Sequence, residues 1–483
     1  MIDLGVGFDV AIVGGGITGL VAAHRLSTMG AKVVMVEKSS RLGGKVMTEQ
    51  ADGFLIESGP DSFVSGKASV IELAAELGLA DRVISSRPEH RGSYVWWGGR
   101  LHPLPEGLLL MAPSRLSPML RSSLLSWKGK LRILGDLVLP RRRHGGDESL
   151  ESFVVRRLGH EVLERIAEPL IAGIHAAEPA TMSLQASFPR FLQMEREHRS
   201  LILAARSATK PAQRDGASYF ASFREGMGEL TLALVGALKG VDIKTGVAAA
   251  RLIGDKDGGY RLILDDGSEV EAQSVILATP ARETAGLLSE MVPEAAAAMA
   301  GIHQVATATV TLAYRADDLP PLFGSGFVVP SVERKQIMGV SYLSQKWKGR
   351  APDEHFALLR AFVGGSNGQG LAVAGEKRLL AVVRQELMAL LGVTAHPVLA
   401  RTHSWEGGLH QYTLGHIGRV AKAEAALAGH PGLAIAGAAF HGIGLNECVE
   451  SGRRAAEKVL AALLAPGISR ASIRLEPRPG ANN

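Results

Sequence analysis

The sequence predicts an α/β protein, α+β overall, in which a discontinuous Rossmann-like dinucleotide-binding domain is interrupted by a mixed-sheet substrate domain and a helical insertion. Three observations carry that prediction. A strand, a glycine turn and a helix open the chain between Phe8 and Leu26, and the same succession closes it between Leu433 and Leu464. The chain has 483 residues, which is more than one hydrophobic core accommodates, so two or three domains are expected.

Phe8 to Val13 is an apolar run ending in glycines. Ile17, Leu20, Val21, Ala23 and Leu26 then recur at helical spacing, Gly30 stops the helix, and Lys32 to Val36 is a second apolar run. That is a βαβ unit. From about Gly53 to Leu79 the pattern is a turn and a helix. Between Leu101 and Pro140, Leu, Met and Pro mix with Arg and Lys. This stretch fits either a helical subdomain with a solvated face or a monotopic membrane-docking surface, with Leu108, Leu109 and Leu110 as its apolar contact.

Residues 151–206 read as helical, and 241–276 as short strands with turns at Asp257-Gly258-Gly259 and Asp265-Asp266-Gly267. Ala306 to Tyr314, Gly326 to Pro330 and His355 to Val363 suggest strands of a second sheet, before a helix near Lys377 to Leu391. Leu433 to Ala438 is an apolar strand, then come a glycine turn and a helix from about Glu447 to Leu464. The implied partition gives the nucleotide domain residues 1–100, 215–300 and 400–465, the helical insertion 101–214 and the sheet domain 301–399. Residues 466–483, rich in Arg, Pro, Gly and Asn, read as a loose tail.

Composition narrows the function classes. Hydrophobic residues make up 46% of the chain, yet no stretch approaches the ~18 uncharged apolar residues that span a bilayer. Cys448 is the only cysteine, which excludes a disulfide framework, a CxxC redox pair and a thiolate metal site. A strand pattern starting at Phe8 leaves no room for a signal segment, so the expected location is the cytoplasm, with the inner membrane face as the alternative if the basic stretch docks. The net charge of +5 fits an acidic substrate or lipid as well as it fits a solvated basic surface, and no nucleic-acid partner is expected.

Gly14, Gly16 and Gly19 form G-x-G-x-x-G where the first strand turns into the first helix, with Gly15 between them. The first glycine permits the tight turn, the second lets backbone approach a pyrophosphate, and the third lets helix and strand pack closely. The helix N-terminus adds free N–H groups and a favourable dipole. Glu37, at the end of the second strand, is placed to accept ribose hydroxyls and disfavours a 2′-phosphate.

The segment after Glu37 points to FAD. "EKSSRLGGK", with Lys38, Arg41, Gly43, Gly44 and Lys45, resembles the segment after the second strand in glutathione-reductase-like flavoprotein oxidases, especially the amine oxidase and phytoene desaturase group. The C-terminal "IAGAAFHGIGLNECVESGRRAAEKV" resembles that superfamily's second FAD motif, implying that Gly437, Gly442 and Gly444 allow close backbone approach to the cofactor. Leu445 to Val449 would begin the helix that faces the flavin. The same resemblance implies that "IESGPDSF" carries Gly59, Pro60, Asp61 and Ser62 past the isoalloxazine, and that Val247 meets the adenine through its backbone. Each motif alone also reads as an ordinary turn.

The segments 173–202, 224–230 ("REGMGEL") and 410–416 ("HQYTLGH") resemble the oxygen-dependent porphyrinogen oxidases of haem synthesis, and the resemblance runs from about Phe8 to Leu464. It implies a six-electron oxidation of protoporphyrinogen IX or coproporphyrinogen III in three flavin turnovers, with O2 as acceptor. Aromatisation would drive the reaction, so no protein base, catalytic residue or metal is expected. It also implies Lys67 as a propionate partner and Gly173, Val328 and Phe362 as pocket residues. Lys67 reads equally as a solvated lysine, and Val328 and Phe362 equally as core. Contact with the next haem-pathway enzyme is a further implied partner. A flavin amine oxidase or carotenoid desaturase is the alternative within the fold, although neither an aromatic cage nor a longer apolar tunnel is evident. An FAD-stabilised scaffold is the alternative outside catalysis.

Overall fold

The structure is a computed structural model that describes residues 7–142, 145–208, 219–254 and 258–464. The tail expected from 466 onward and the turn residue Asp257 lie outside the described residues.

The opening βαβ unit forms as its periodicity requires, with strand Phe8–Val13, helix Ile17–Thr28 and strand Val33–Glu37. Four strands run parallel in the order Asp242–Thr245, Val33–Glu37, Phe8–Val13 and Glu269–Leu277. The last of these is shared. Its second half pairs in parallel with Leu433–Ile435, and its first half pairs antiparallel with Tyr260–Leu264, which carries Ala249–Gly254 on its other edge. The two ends of the chain therefore meet in one seven-stranded sheet. Helix Ile17–Thr28 and the final helix Leu445–Leu463 share one apolar cluster on one face, while Ala281–Leu288, Pro293–Ala300 and His416–Leu427 cover the other. Helices on both faces of the parallel part of the sheet explain why its central strands Phe8–Val13 and Val33–Glu37 are nearly continuous apolar runs.

The second sheet also has seven strands, in the order Leu399–His410, Gln304–Arg315, Phe356–Val363, Ile337–Tyr342, Gly326–Val328, Tyr94–Trp97 and Arg100–Pro103. Helix Glu376–Leu391 seals one face. On the opposite face, Thr309, Arg360 and Trp405 bond the backbone of Ser58 and Gly59.

Several boundaries differ from the sequence partition. Strand 94–97 and nearly all of the long strand 399–410 belong to the second sheet rather than to the nucleotide domain, and strand 100–103 belongs to it rather than to the helical insertion. The hairpin at 94–103 turns on Gly98 and Gly99, both at positive φ, a geometry that matches the twist of the flanking strands. Residues 53–79 add a strand, Phe54–Glu57, to the expected turn and helix. The insertion is not wholly helical, since Leu108–Leu109 and Ala112–Pro113 pair as short strands.

Helices at 116–121, 127–134, 150–157, 168–175, 189–198 and 201–208 surround the insertion's own core. Ser126 and Ser149 cap two of them by accepting the N–H of Gly129 and of Ser152, each at 3.1 Å. Leu108 and Leu110 pack against that core. The exposed apolar side chains of the stretch are instead Trp127, Leu131 and Val138, at 79%, 67% and 75% exposure.

Candidate functional site

Helix Ile17–Thr28 starts at Gly16 with no side chain capping it and no acidic residue in its first turn. The N–H groups of that turn have no intrahelical partners, and the helix dipole leaves them partly positive. The glycines divide the work. A Cβ on Gly14, at φ +107°, would sit 2.7 Å from the Ala278 carbonyl oxygen, and one on Gly19 would fall on the Gly14 carbonyl. Nothing lies within 4 Å of where a Cβ on Gly16 would be, so the backbone there faces open space.

The Glu37 carboxylate accepts the Gly15 N–H at 2.6 Å and the Ser39 N–H at 2.8 Å, which turns it toward the glycine loop. Gly43 donates to the Gly15 carbonyl at 2.8 Å, and the Arg41 guanidinium closes this segment on the Gly44 carbonyl at 2.8 Å. Val247 donates its N–H to the Glu37 carbonyl at 3.2 Å, and Lys38 is exposed just past the strand end. Glu37, Arg41, Gly44 and Val247 thus gather at the carboxyl edge of the parallel sheet, the usual place for a dinucleotide.

The final helix brings a second uncapped N-terminus, Gly444, to the same edge. Behind it, the Tyr412 hydroxyl accepts the Gly442 N–H at 2.6 Å and donates to the Ala438 carbonyl at 2.9 Å, spanning the glycine turn. The His416 ring stacks on Tyr412 at 3.8 Å, and burial holds its pKa down to about 4. Gly437 is buried and donates to Ser451 Oγ at 2.9 Å. Leu445 lies at the edge of the apolar core, whereas Val449 is wholly inside it, so its side chain is not brought to that sheet edge. Burial also pushes the Cys448 thiol up to about 11, which leaves it unreactive as a nucleophile.

The loop Gly59–Ser62 is held between these parts. A Cβ on Gly59 would fall on the Lys45 carbonyl, so the two backbones touch. Burial lowers the pKa of the Lys45 ammonium, which donates to the carbonyls of Gly407 and Gly408 at 3.0 and 2.6 Å. Asn446, in the first turn of the final helix, donates to the Val64 carbonyl at 3.1 Å and accepts the Val70 N–H at 3.2 Å. Lys67 pairs with Glu447 at this clamp.

Under the loop lies a buried group of charges with no obvious sequence signature. Glu57 accepts the Thr48 hydroxyl at 2.7 Å and the Met227 N–H at 2.8 Å, with Arg350 3.8 Å away, and burial raises its pKa. Asp61 accepts the Lys346 ammonium at 2.8 Å and the Trp347 indole N–H at 3.3 Å. Burial alone would raise the Asp61 carboxyl, but Lys346 and Arg360 hold it well below the usual range. Arg360, 1% exposed, bonds the Gly59 carbonyl.

The residues expected around a second ligand come together in part. Gly173 is exposed, and a Cβ there would lie 4.0 Å from Val328. Phe362 is half-buried, with the Arg360 guanidinium 5.0 Å from its ring centre. Glu168, at the start of the helix carrying Gly173, accepts the Ser331 N–H at 3.1 Å, and burial pushes its carboxyl up to about 7. Lys67 stands instead at the final helix. Among the described residues no three His, Cys, Asp or Glu side chains gather as a metal site.

Flavin containing amine oxidoreductases, as a family, match residues 17–460. The chain is 35% identical to the coproporphyrinogen III oxidase of Propionibacterium freudenreichii subsp. freudenreichii, over 97% of this chain and 95% of that one. It is 34% identical to the protoporphyrinogen oxidase of Bos taurus, over 94% and 98%. A crystal structure from Exiguobacterium sp. 255-15 superposes with a TM-score of 0.83 at 31% identity, covering 93% of this chain and 98% of the other.

Proposed function

From the premise that this chain belongs to the flavin-containing amine oxidoreductases, we propose that it is an FAD-dependent oxidase that converts a porphyrinogen to a porphyrin in haem synthesis, with O2 as the electron acceptor. The observation that carries the reading is near full-length kinship with oxidases of both porphyrinogens, and the two helix N-termini at Gly16 and Gly444 support it. The residues fit FAD. Two uncapped helix N-termini, at Gly16 and Gly444, meet at one sheet edge, and the would-be Cβ of Gly16 has open space in front of it.

In this reading Gly14, Gly15, Gly16 and Gly19 receive the pyrophosphate, Glu37 the ribose, and Val247 the adenine edge, with Lys38, Arg41, Gly44 and Lys45 flanking. Gly59, Pro60, Asp61 and Ser62 would hold the isoalloxazine, together with the turn from Gly437 to Leu445. When bound, FAD would supply the acceptor for hydride from a carbon of the macrocycle and the route by which its electrons reach oxygen. The chain's own work is to hold a flat apolar ring against it, through Gly173, Val328 and Phe362, and to exclude water. The net charge of +5 favours the tetracarboxylate, coproporphyrinogen III, over the dicarboxylate.

Anaerobic addition of each porphyrinogen to the yellow protein, then oxygen-uptake and porphyrin-fluorescence assays, tests this. The expected result is bleaching by both substrates and a higher kcat/KM on coproporphyrinogen III. A flavin that neither porphyrinogen reduces would refute the activity, and a preference for protoporphyrinogen IX would reverse the substrate assignment.

Peripheral membrane contact is a second element of the reading. Among the described residues no helix is long and apolar enough to cross a membrane. Trp127 and Leu131 lie one helical turn apart and Val138 lies beyond them, all exposed, with Lys128 and Lys130 alongside. An apolar stripe edged with lysine is the composition that lies in an anionic bilayer surface.

A further inference from the structure

A fully buried guanidinium normally has a carboxylate beside it, because an uncompensated charge in a low-dielectric interior costs several kcal/mol. Arg360 has no carboxylate within ion-pairing distance among the described residues: burial lowers its pKa, and Asp61 and Glu57 oppose that only through space. Its Nη2 donates to the Gly59 carbonyl, while Nε and Nη1 have no hydrogen-bond partner among the described residues. The two carboxylates nearby are committed elsewhere. Asp61 takes Lys346, Trp347 and the Ser62 hydroxyl, and Glu57 takes Thr48 and the Met227 N–H. The Phe362 ring, 5.0 Å from the guanidinium carbon, offers only a partial substitute.

The surroundings place this incompletely paired charge under the Gly59–Ser62 loop. Thr311 is the register partner of Arg360 on the adjacent strand, its hydroxyl is buried without a partner, and His403 Nδ1 is unpartnered as well. Burial holds His403 below its ordinary pKa, so it adds no second positive charge, and an imidazole has no negative charge to offer the guanidinium. Arg360 is itself sealed behind the loop it bonds. The loop's Gly59 touches the Lys45 backbone, and its far end is clamped to the first turn of the final helix by Asn446.

We propose that Arg360 is an electrostatic positioning residue for the flavin: its buried charge, which no carboxylate hydrogen-bonds directly, lies behind the Gly59–Pro60 loop and favours the negative charge that the isoalloxazine would gain on accepting a hydride. The proposal rests on the reading that the ring lies against that loop. Preorganised charge aimed at a site of developing charge acts strongly in a water-excluded interior, because nothing has to reorganise when the electrons arrive. The consequence is a raised two-electron potential, which pulls hydride from substrate.

The test compares wild type with Arg360→Met, which keeps length without charge, and Arg360→Lys, which keeps charge. FAD content is measured first from flavin absorbance, then the midpoint potential by dye titration and the affinity for sulfite. Arg360→Met should lower the potential by about 30 mV or more, equivalent to a tenfold change for two electrons, and weaken sulfite binding at least tenfold. Arg360→Lys should stay close to wild type. If Arg360→Met fails to fold, the wild-type protein still decides, since N3–H of its bound flavin should ionise at lower pH than in free FAD. An FAD-replete Arg360→Met with unchanged potential and sulfite affinity, a lysine variant that falls as far as methionine, or an unlowered N3 ionisation would overturn the proposal. Those results would leave the porphyrinogen reading intact, whereas a flavin inert to both porphyrinogens would strike that reading alone.

Discussion

Gly59 and Lys45 touch backbone to backbone, so that a single methyl on Gly59 would occupy the place of the Lys45 carbonyl oxygen. That contact fastens the Gly-Pro loop to the segment that also lines the glycine turn, and it tolerates no side chain. Gly59→Ala should therefore lower FAD retention about tenfold, ~1.4 kcal/mol, by pushing the two walls apart. Gly66→Ala, just past the short strand Phe63–Val64 that follows the loop and with nothing within 4 Å of its would-be Cβ, should retain FAD as wild type does. Flavin absorbance relative to protein after gel filtration reads both; equal losses would mean the loop is simply fragile.

The Glu37 carboxylate already organises the glycine turn by accepting two backbone N–H groups, those of Gly15 and Ser39. Glu37→Ala removes both bonds and the ribose acceptor, and hydrogen bonds to a charged group are worth about 1.5–3 kcal/mol each. FAD affinity should fall tenfold or more by fluorescence titration, with the folded fraction retained. Glu37→Gln, which still offers one acceptor oxygen, should fall between the two.

Among the described residues, the insertion holds one ion pair with both side chains fully buried, Arg157 with Asp136. Arg157 donates Nε to Asp136 at 2.6 Å and bonds the carbonyls of Pro140 and Arg199, while Ser200 and the Ile202 N–H complete Asp136. Arg157→Ala leaves an unpaired buried carboxylate and should destabilise the protein by about 3–5 kcal/mol in urea titration. Arg157→Met with Asp136→Leu should recover much of that loss, which a role in packing alone would not produce.

Stability should also fall on mild acidification, and burial sets the sign. His416 is 1% exposed, and its pKa is held down to about 4 against an ordinary 6.5. The unfolded chain takes up a proton below 6.5 that the folded chain refuses. The stability from neutral His416 is therefore complete above 6.5 and shrinks as pH falls toward 4. His175, at about 4, and His410, at about 3, act in the same direction. Glu168, pushed up to about 7 from 4.5, acts oppositely, its contribution being lost as pH rises through that interval. At about pH 5 the His416 share is roughly 2 kcal/mol. Urea midpoints at pH 5 and 7.5 should show His416→Gln losing that much less than wild type; identical losses would refute it.

Much of the nucleotide domain is legible in the sequence because its signals are local. Gly14, Gly16, Gly19 and Glu37 lie within one βαβ unit, where period and turn chemistry specify both element and geometry. The strands at 94–97 and 399–410 are not, for opposite reasons. The first reports itself through Gly98-Gly99, yet its partner strand lies some 230 residues away. The second, "LARTHSWEGGLH", is polar and half-buried, so no alternation marks it. Arg360 is invisible because an arginine inside an apolar strand signals only once its neighbours are known. Lys67 stands just after the Gly-Pro loop, and proximity in sequence does not say that Glu447 claims it.

The two apolar patches of the insertion differ in the same way. Leu108 and Leu110 read as a docking surface from their neighbours in sequence, yet both pack inward, so changing them should damage the fold rather than lipid binding. Trp127 and Leu131 face outward, and Lys130 lies 5.2 Å from the centre of the Trp127 ring. Burying these two side chains at an interface removes apolar surface from water at about 25 cal/mol per Å², and each nearby lysine adds about 1 kcal/mol on anionic lipid. Wild type should float with vesicles containing phosphatidylglycerol, less so with neutral vesicles or at high salt. Trp127→Ser with Leu131→Ser should reduce flotation at least tenfold while leaving flavin content and urea midpoint unchanged. Flotation that survives this double change would move the membrane contact elsewhere on the protein.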